Sequence, residues 1–232
     1  MSKGINLCSN KGIIPLFTFA LLRGSAKQSF DGAEVGYITM RVNMTRLTKH
    51  IITVSKLARI IDSSDICRRR HCYKVERYSL LIARKIGLSS GEVRMIKIAS
   101  VLHDVGKIGI DLTIIKKPAK LTAEEWEQVK RHPDIGANIV GQLGFFGEVS
   151  DIIRYHHSRF NGEGYPDASL SGERIPIGSR IIAVTDAFDA MTSDRPYRAA
   201  LSTESALEEL KLCSGTQFDP KIVESFFDTV KC

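Results

Sequence analysis

The sequence predicts an all-α domain preceded by a short N-terminal segment that resembles a β-hairpin. After residue 45, apolar residues recur every three or four positions in several stretches, which is typical of helices that bury one face. Strand patterns are scarce in this part of the chain, and the predicted helices are joined by short connections. A chain of 232 residues with 43% apolar content can bury a core, and its length suggests one domain with an appendage.

Residues 1–43 contain two strand-like apolar runs, 13–22 and 35–42, and an Asp31-Gly32 pair suited to a turn between them. They weakly resemble the closing strands of a PAS-type sensor module but are too few to form a whole one. Lys3 and Lys11 precede the first run and give it a faint likeness to a secretory signal. A buried strand is the favoured interpretation.

Residues 44–65 are predicted to form a linker helix. Apolar residues fall at positions 44, 47, 51, 54, 58 and 61, and these alternating spacings of three and four make an a/d seam. Such a seam suits a homodimer through this helix, and it equally suits packing of the helix against the body of the domain.

Residues 66–232 are predicted to form the helical bundle. Helices are expected over 71–86, 92–102, 122–132, 176–192, 202–212 and 220–227. Gly87 is expected to stop the first helix, and Asp219 to cap the last. Thr122 and Glu125 form a capping box for a helix that is expected to end at His132-Pro133.

The composition indicates where in the cell the protein acts and which classes of partner it is expected to bind. The net charge of +7 comes from residues 1–70, where 12 Lys/Arg face 4 Asp/Glu, whereas residues 71–232 hold 21 against 22. The basic run 68–70 is interpreted as a solvated helix turn, so no nucleic-acid partner is expected. Five cysteines without a CxxC pair indicate reduced thiols and a cytoplasmic protein. No apolar run approaches the roughly 20 residues of a membrane span.

Five of the six histidines and two aspartates form a pattern that indicates a metal site. These residues are His71, His103, Asp104, His132, His156, His157 and Asp186. Neutral imidazoles and carboxylates are the ligands that borderline divalent metals take. Seven such groups exceed the needs of one tetrahedral ion and suit two ions that share a bridging carboxylate, as in hydrolytic dinuclear sites.

Four strings of the sequence carry a family resemblance. The string 103–107 (HDVGK) resembles the HDxGK core of the HD phosphohydrolase superfamily, and 156–166 (HHSRFNGEGYP) resembles the HHExxDGxGYP signature of its HD-GYP subfamily. The strings 195–198 (RPYR) and 215–220 (GTQFDP) resemble the closing motifs of that subfamily. The resemblance covers residues 66–232 and implies an HD-domain helical bundle.

The resemblance also implies a function. Members of the family are bacterial phosphodiesterases that hydrolyse cyclic dinucleotides, chiefly cyclic di-GMP, through two metal ions and a bridging hydroxide. It implies that Asp104 bridges the ions, with iron as the first choice of metal and manganese as the second. His71, His103 and Asp186 would complete the ligands of one ion, and His132, His156 and His157 those of the other.

Further roles follow from matching positions. Lys107 would hold a phosphate oxygen and stabilise the transition state, and Arg195 and Arg198 would grip the phosphates of the substrate. Tyr165 lies in the loop that shapes substrate access and, in the family, contacts diguanylate cyclase domains. The expected product is linear pGpG, with further conversion to GMP left open.

The sequence departs from the family at three positions. Ser158 replaces a Glu expected to support the metal ligands, and Asn161 replaces an Asp while keeping the chemistry of the turn. Cys67 stands where a subset of the family has a Glu for a third metal, so two metals are expected. Two alternatives stay open: a sensor of cyclic dinucleotides or partner-docking module with weak activity, and a phosphohydrolase for another cyclic dinucleotide or nucleotide.

Overall fold

The computed structural model describes the backbone of residues 66–142, 147–168, 170–194 and 199–230, with side chains from residue 71 onwards. Within these ranges the α-helices are α1 (Ile66–Lys85), α2 (Ser90–Leu102), α3 (Leu112–Ile115), α4 (Ala123–Val129), α5 (His132–Gly141), α6 (Gly147–Arg154), α7 (Ile177–Met191), α8 (Thr203–Leu212) and α9 (Pro220–Val230). Two 3-10 helices span Val105–Gly109 and Gly172–Arg174. No strand occurs in the described ranges, which confirms the predicted all-α fold. The predictions for residues 1–65 lie outside them.

The core lies between α1, α2, α6 and α7. Helix α1 packs against α2, α7 and α9, and α6 packs against α2, α5 and α7. The inward faces are mostly aliphatic, and Tyr78, Phe188 and Phe226 add an aromatic cluster with ring centroids 4.8–5.7 Å apart. Burial of these faces is the main favourable term for the bundle, at roughly 1.5–3 kcal/mol for each large apolar side chain. The packing therefore holds α1 and α7 in a defined register.

The ends of α1 and α2 follow from local sequence. Gly87 has a positive φ of 79°, which a residue without Cβ adopts at little cost. The N–H groups of Leu88 and Gly87 donate to the carbonyls of Ala83 and Arg84, which closes α1 as predicted. Ser89 caps α2 with a reciprocal Ser–Glu capping box.

The structure corrects the predicted helix over 122–132. Thr122 caps α4 as expected, but α4 ends at Val129 and His132 begins a new helix, α5. Pro133 explains the difference. A proline has no N–H to donate, which disrupts the interior of a helix but costs nothing in the first turn, where the N–H groups have no partner within the helix. His132 is consequently at a helix start. Helices α3 and α6 were not predicted, since runs of 4 and 8 residues are too short to show a clear period.

The segment 213–219 anchors the loop that follows the paired histidines. The N–H groups of Phe160 and Asn161 donate to the carbonyls of Gln217 and Thr216 at 3.0 and 2.8 Å. Asp219 accepts from the N–H of Lys221 at 2.9 Å, as the predicted cap of α9, and forms a buried ion pair with Arg180. None of the described helices is both long enough and apolar enough to cross a lipid bilayer.

Candidate metal centre

The seven predicted ligands meet at one place because several helix ends converge there. His71 lies in α1 and Asp186 in α7, His103 and Asp104 follow α2, His132 begins α5, and His156 and His157 follow α6. Beyond the end of α6 the chain leaves regular helical geometry, so two adjacent side chains can turn to the same side. The rings of His156 and His157 have centroids 4.0 Å apart.

Two groups of side chains are each compact enough to hold a metal ion. The first, called the His71 group, consists of His71, His103 and Asp104. The second, called the His132 group, consists of His132, His156 and His157. Within each group one ligand atom from every residue lies within 4.8 Å of the others. Asp186 adjoins the His71 group, with its Oδ1 3.4 Å from His71 Nε2.

The Asp104 carboxylate lies between the two groups. Its Oδ2 is 3.6 Å from His103 Nε2, and its Oδ1 is 3.4 Å from His132 Nε2. Each oxygen of one carboxylate thus faces an imidazole of a different group. This is the arrangement that a carboxylate shared by two cations requires.

Three of the histidines are oriented by a carbonyl three residues earlier in the chain. The Nδ1 atoms of His103, His132 and His156 lie 2.8, 2.8 and 2.6 Å from the carbonyl oxygens of Ser100, Val129 and Ile153. Because a carbonyl only accepts, Nδ1 donates in each ring, and in the neutral imidazole Nε2 keeps its lone pair. His103 Nε2 is buried and has no hydrogen-bond partner among the described residues. A lone pair so placed fits a metal ligand.

The imidazoles of the His132 group are held neutral. Burial lowers the pKa of His157 to about 3, and the neighbouring His132 acts in the same direction. Burial also lowers the pKa of His132, and it lowers that of His156 well below the usual range with help from His157. Only the neutral imidazole binds a metal, so these rings are ready to do so at neutral pH.

The two carboxylates are held ionised. Burial opposes this for Asp104, but the ammonium charge of Lys107 leads the interactions that outweigh it, and the pKa of Asp104 is well below its ordinary value. Burial likewise opposes ionisation of Asp186, and His71 and the other nearby histidines lower its pKa overall. Neutral imidazoles beside ionised carboxylates form a donor set that fits divalent metals of borderline softness.

His71 is oriented differently from the other histidines. Its Nδ1 lies 2.7 Å from Asp189 Oδ2, and Lys74 Nζ lies 2.9 Å from Asp189 Oδ1. Burial lowers the pKa of His71, but the hydrogen bond to Asp189 and the charges of Asp186 and Asp104 outweigh it, so the pKa is raised. Neither Asp189 nor Lys74 was predicted from the sequence as a site residue. The spacing of Asp189, three residues after Asp186 in an apolar helix, is the sequence feature that points to it.

Lys107 lies one turn beyond Asp104, and its ammonium contacts Asp104 Oδ2. Gly106 between them allows the 3-10 helix to approach the backbone of α5. A Cβ at Gly106 would stand 1.9 Å from the carbonyl oxygen of His132 and 2.5 Å from the nitrogen of Gly136. The glycine of the HDVGK string therefore sets the distance between the segment that carries Asp104 and the helix that begins with His132.

Tyr165 covers one side of the His132 group. Its ring stacks on His157 with centroids 4.8 Å apart and an interplanar angle of 28°. Trp126 of α4 contacts Tyr165 in a T-shaped arrangement with ring centroids 6.2 Å apart, and Trp126 is 45% exposed. Burial raises the pKa of Tyr165, and the charges of Asp104 and Asp186 add to the effect, so its hydroxyl stays protonated.

The loop around Tyr165 keeps its turn despite the substitutions at two positions. Asn161 Oδ1 accepts from the N–H of Glu163 at 3.2 Å, and Gly162 has a positive φ of 92°, as the Asn-Gly pair predicts. Ser158 is 6% exposed, and its hydroxyl has no hydrogen-bond partner among the described residues. Arg195 and Arg198, predicted to grip phosphates, and the side chain of Cys67 lie outside the described parts of the chain.

Comparisons with known proteins identify the family of the chain. The sequence model of the family described as HD domain matches residues 52–222. The cyclic di-GMP phosphodiesterase response regulator RpfG of Xanthomonas campestris is 42% identical over 175 residues, which cover 75% of this chain and 46% of that protein. The 3'3'-cGAMP-specific phosphodiesterase 2 of Vibrio cholerae is 35% identical over 189 residues, covering 81% of this chain and 36% of that protein. This chain thus spans less than half the length of either curated relative.

A solved structure shares the fold. The cyclic GMP-AMP-specific phosphodiesterase V-cGAP3 of V. cholerae aligns with a TM-score of 0.61 at 22% identity, covering 80% of this chain and 49% of that one. The family match takes in every predicted metal ligand from His71 to Asp186. The chain therefore belongs to the HD domain family, and its paired histidines and Gly164-Tyr165-Pro166 mark it as an HD-GYP member.

Proposed function

We propose that this chain is a metal-dependent phosphodiesterase that hydrolyses cyclic di-GMP to linear pGpG. The observation that carries the proposal is the position of the Asp104 carboxylate, with one oxygen facing His103 and the other facing His132. A carboxylate between two groups of buried imidazoles serves a pair of cations better than a single one. The cyclic dinucleotide class rests on the names of the curated relatives.

The residues divide between two metal positions. The His71 group together with Asp186 would hold one ion, and the His132 group would hold the other, with Asp104 shared. When bound, two divalent ions acidify a water molecule and offset the negative charge of the phosphate. His103, His132 and His156 are at most 1% exposed and the Asp104 side chain is 11% exposed, so these ligand atoms lie away from bulk solvent, which strengthens the electrostatic interactions among them.

The remaining groups would act on the substrate. Lys107 is 23% exposed at its side chain and lies beside Asp104, so its ammonium can turn to a nonbridging phosphate oxygen and stabilise the charge gained in the transition state. The protonated hydroxyl of Tyr165 can donate to a second phosphate oxygen. Arg195 and Arg198 are proposed to hold the other phosphate of the ring through their guanidinium groups.

Iron is our first choice of metal and manganese the second. The site offers five imidazoles and two carboxylates among the predicted ligands, without a thiolate in the described set. Such a hard-to-borderline donor set suits Fe(II) and Mn(II). Ser158 supplies no charge where the family pattern has Glu, so we propose that it tunes metal affinity and leaves the ligands in place.

A second candidate substrate is 3'3'-cGAMP, which differs from cyclic di-GMP in one base. The V. cholerae relative is a 3'3'-cGAMP-specific phosphodiesterase, which favours this candidate. A sensing or docking role without turnover is the third candidate. In that setting the exposed loop residues around Tyr165 would contact a diguanylate cyclase domain, and residues 44–65 would form a homodimer.

The proposal is tested with protein purified without oxygen and reconstituted with Fe(II) or Mn(II). Cyclic di-GMP and 3'3'-cGAMP are offered separately, products are resolved by chromatography, and metal is counted per chain. We expect two metals per chain and pGpG as product, with both lost in His103→Ala. If two metals are bound but neither nucleotide is hydrolysed, the proposed phosphodiesterase activity is contradicted and the sensing role is favoured. Hydrolysis of 3'3'-cGAMP alone would make that nucleotide the substrate in place of cyclic di-GMP.

A further inference from the structure

Asp189 is a buried carboxylate outside the predicted ligand set that hydrogen-bonds to one member of the set, His71. It is 2% exposed and lies on α7, one turn after Asp186. Its Oδ2 is 2.7 Å from His71 Nδ1, and its Oδ1 is 2.9 Å from Lys74 Nζ. Ser193 Oγ donates to the same Oδ1 at 3.3 Å. Both carboxylate oxygens are therefore occupied, and their direction is set.

These contacts determine which nitrogen of His71 faces the centre. The Lys74 ammonium lies 2.9 Å from Asp189 Oδ1, so Asp189 is the anion of an ion pair. An ionised carboxylate only accepts, so His71 Nδ1 carries the hydrogen. In the neutral imidazole, Nε2 is then left with a lone pair, 3.4 Å from Asp186 Oδ1. His71 thereby presents Nε2 as a ligand.

The partner of His71 differs in charge from the partners of the other oriented histidines. His103, His132 and His156 each donate through Nδ1 to a neutral backbone carbonyl. His71 donates to an anion. A carboxylate on the far nitrogen raises the basicity of an imidazole ligand and holds its ring more firmly than a carbonyl does. The two metal positions are therefore supported unequally.

We propose that Asp189, held by Lys74, is a positioning residue for His71 that strengthens metal binding by the His71 group relative to the His132 group. This inference rests on the proposed dinuclear function and adds that the metal position of the His71 group gains affinity from Asp189, whereas the other position does not. Removal of a carboxylate partner of a metal-bound histidine typically weakens binding by about 10–100-fold. The effect is expected at one position only, because Asp189 contacts no member of the His132 group among the described contacts.

The test is a Mn(II) titration of the metal-free protein, with free Mn(II) followed by electron paramagnetic resonance. Asp189→Asn keeps the shape of the side chain but removes its charge and lets its amide donate to Nδ1. We expect one of the two Mn(II) affinities to fall by about 10–100-fold and the other to change less than about threefold. Asp189→Glu keeps the carboxylate and should recover part of the loss. Asp228→Asn is the matched control, since Asp228 pairs with Lys85 on the surface, where it is 63% exposed.

Two further variants separate positioning from a general structural role. In a His71→Ala background, Asp189→Asn should leave the remaining Mn(II) affinity unchanged, because the ring that it orients is gone. Lys74→Met alters a side chain that is 38% exposed and should weaken the same Mn(II) site by a smaller factor, even if Asp189→Asn does not fold.

Equal weakening of both Mn(II) sites, or of neither, in the folded variants would overturn the inference. A further loss of Mn(II) affinity when Asp189→Asn is added to His71→Ala would also overturn it. Fewer than two Mn(II) ions on the unmodified protein would contradict the dinuclear site itself and with it the proposed function. Two ions on that protein with unaltered affinities in Asp189→Asn would reject the positioning role alone.

Discussion

The Nε2 atoms of His132 and His156 lie 3.4 Å apart in the buried centre. Each ring donates through Nδ1 to a carbonyl, and burial lowers the pKa of both, so neither Nε2 carries a hydrogen. Two lone pairs therefore face each other. A divalent cation bound by both rings would relieve the repulsion between them.

We expect divalent metal to stabilise the fold strongly. A ligand that binds only the folded state adds about 2.7 kcal/mol at 100 times its Kd, which for a chain of this size raises Tm by roughly 5–10 °C. Thermal unfolding with Mn(II) and with EDTA measures this shift. His156→Ala should reduce the shift, because it removes one of the facing lone pairs. A shift of equal size in that variant would contradict the assignment of the His132 group.

The metal-free protein should lose stability as pH falls from 6.5 towards 3. His157 has a pKa of about 3 in the folded chain against an ordinary value of 6.5. Between these values the unfolded chain binds a proton that the folded chain does not, so acid favours unfolding by up to about 1.4 kcal/mol per pH unit from this residue. His132 and His156 act in the same direction, and His71, whose pKa is raised, acts in the opposite one.

His157→Asn isolates the contribution of His157. Urea unfolding in EDTA at pH 7, 6 and 5 should show a shallower pH dependence in the variant than in the unmodified protein. The stability advantage of the unmodified protein should shrink as pH falls. Parallel curves would show that His157 is protonated in the folded chain as readily as in the unfolded one.

Lys107→Met should lower kcat for cyclic di-GMP by about 100–1000-fold, the usual effect of losing a group that stabilises transition-state charge. KM should change only a few-fold, and the metal count should remain two. Lys97→Met serves as the control, because Lys97 is 60% exposed on α2 and pairs with Glu76, which is not one of the predicted ligands. Loss of metal together with kcat in Lys107→Met would indicate that Lys107 supports Asp104 and does not act on the phosphate.

Gly106→Ala should destabilise the protein by about 1–3 kcal/mol or more, because the added Cβ would meet the backbone of α5 at 1.9 Å. The shift should also separate Asp104 from His132 and weaken metal binding. Gly91→Ala is the matched control, since its Cβ would meet only a side chain at 3.8 Å. Urea unfolding and a metal count report the two effects. Equal stability of the two variants would show that the 3-10 helix moves away from α5 without strain.

Trp126 is the single tryptophan of the chain and lies against Tyr165, so its fluorescence should report nucleotide binding at the centre. Addition of cyclic di-GMP to Tyr165→Phe should still change the emission, because the stacked ring is retained. The KM of this variant should rise, because the hydroxyl is lost. An unchanged KM would show that the Tyr165 hydroxyl does not bind the substrate and that the residue only shapes the loop.

Much of the fold and the list of candidate ligands could be predicted from sequence. The capping box at Thr122, the stop at Gly87 and the cap at Asp219 depend on hydrogen bonds within a few residues, which a linear pattern displays. The paired histidines and the HDVGK string are equally local. One helix limit was wrong: the helix opened by the capping box at Thr122 was expected to end at His132-Pro133, but it ends at Val129 and His132 begins the next helix.

The sequence by itself determined the helical class, the family and the residues that could hold metal. Only the tertiary structure decided how those residues are oriented. His71 and Asp189 are 118 positions apart, so their hydrogen bond exists only because α1 packs against α7. The position of Asp104 between two groups of imidazoles likewise depends on the close backbone approach at Gly106. Local interactions leave their pattern in neighbouring residues, whereas contacts between distant residues depend on how the helices pack.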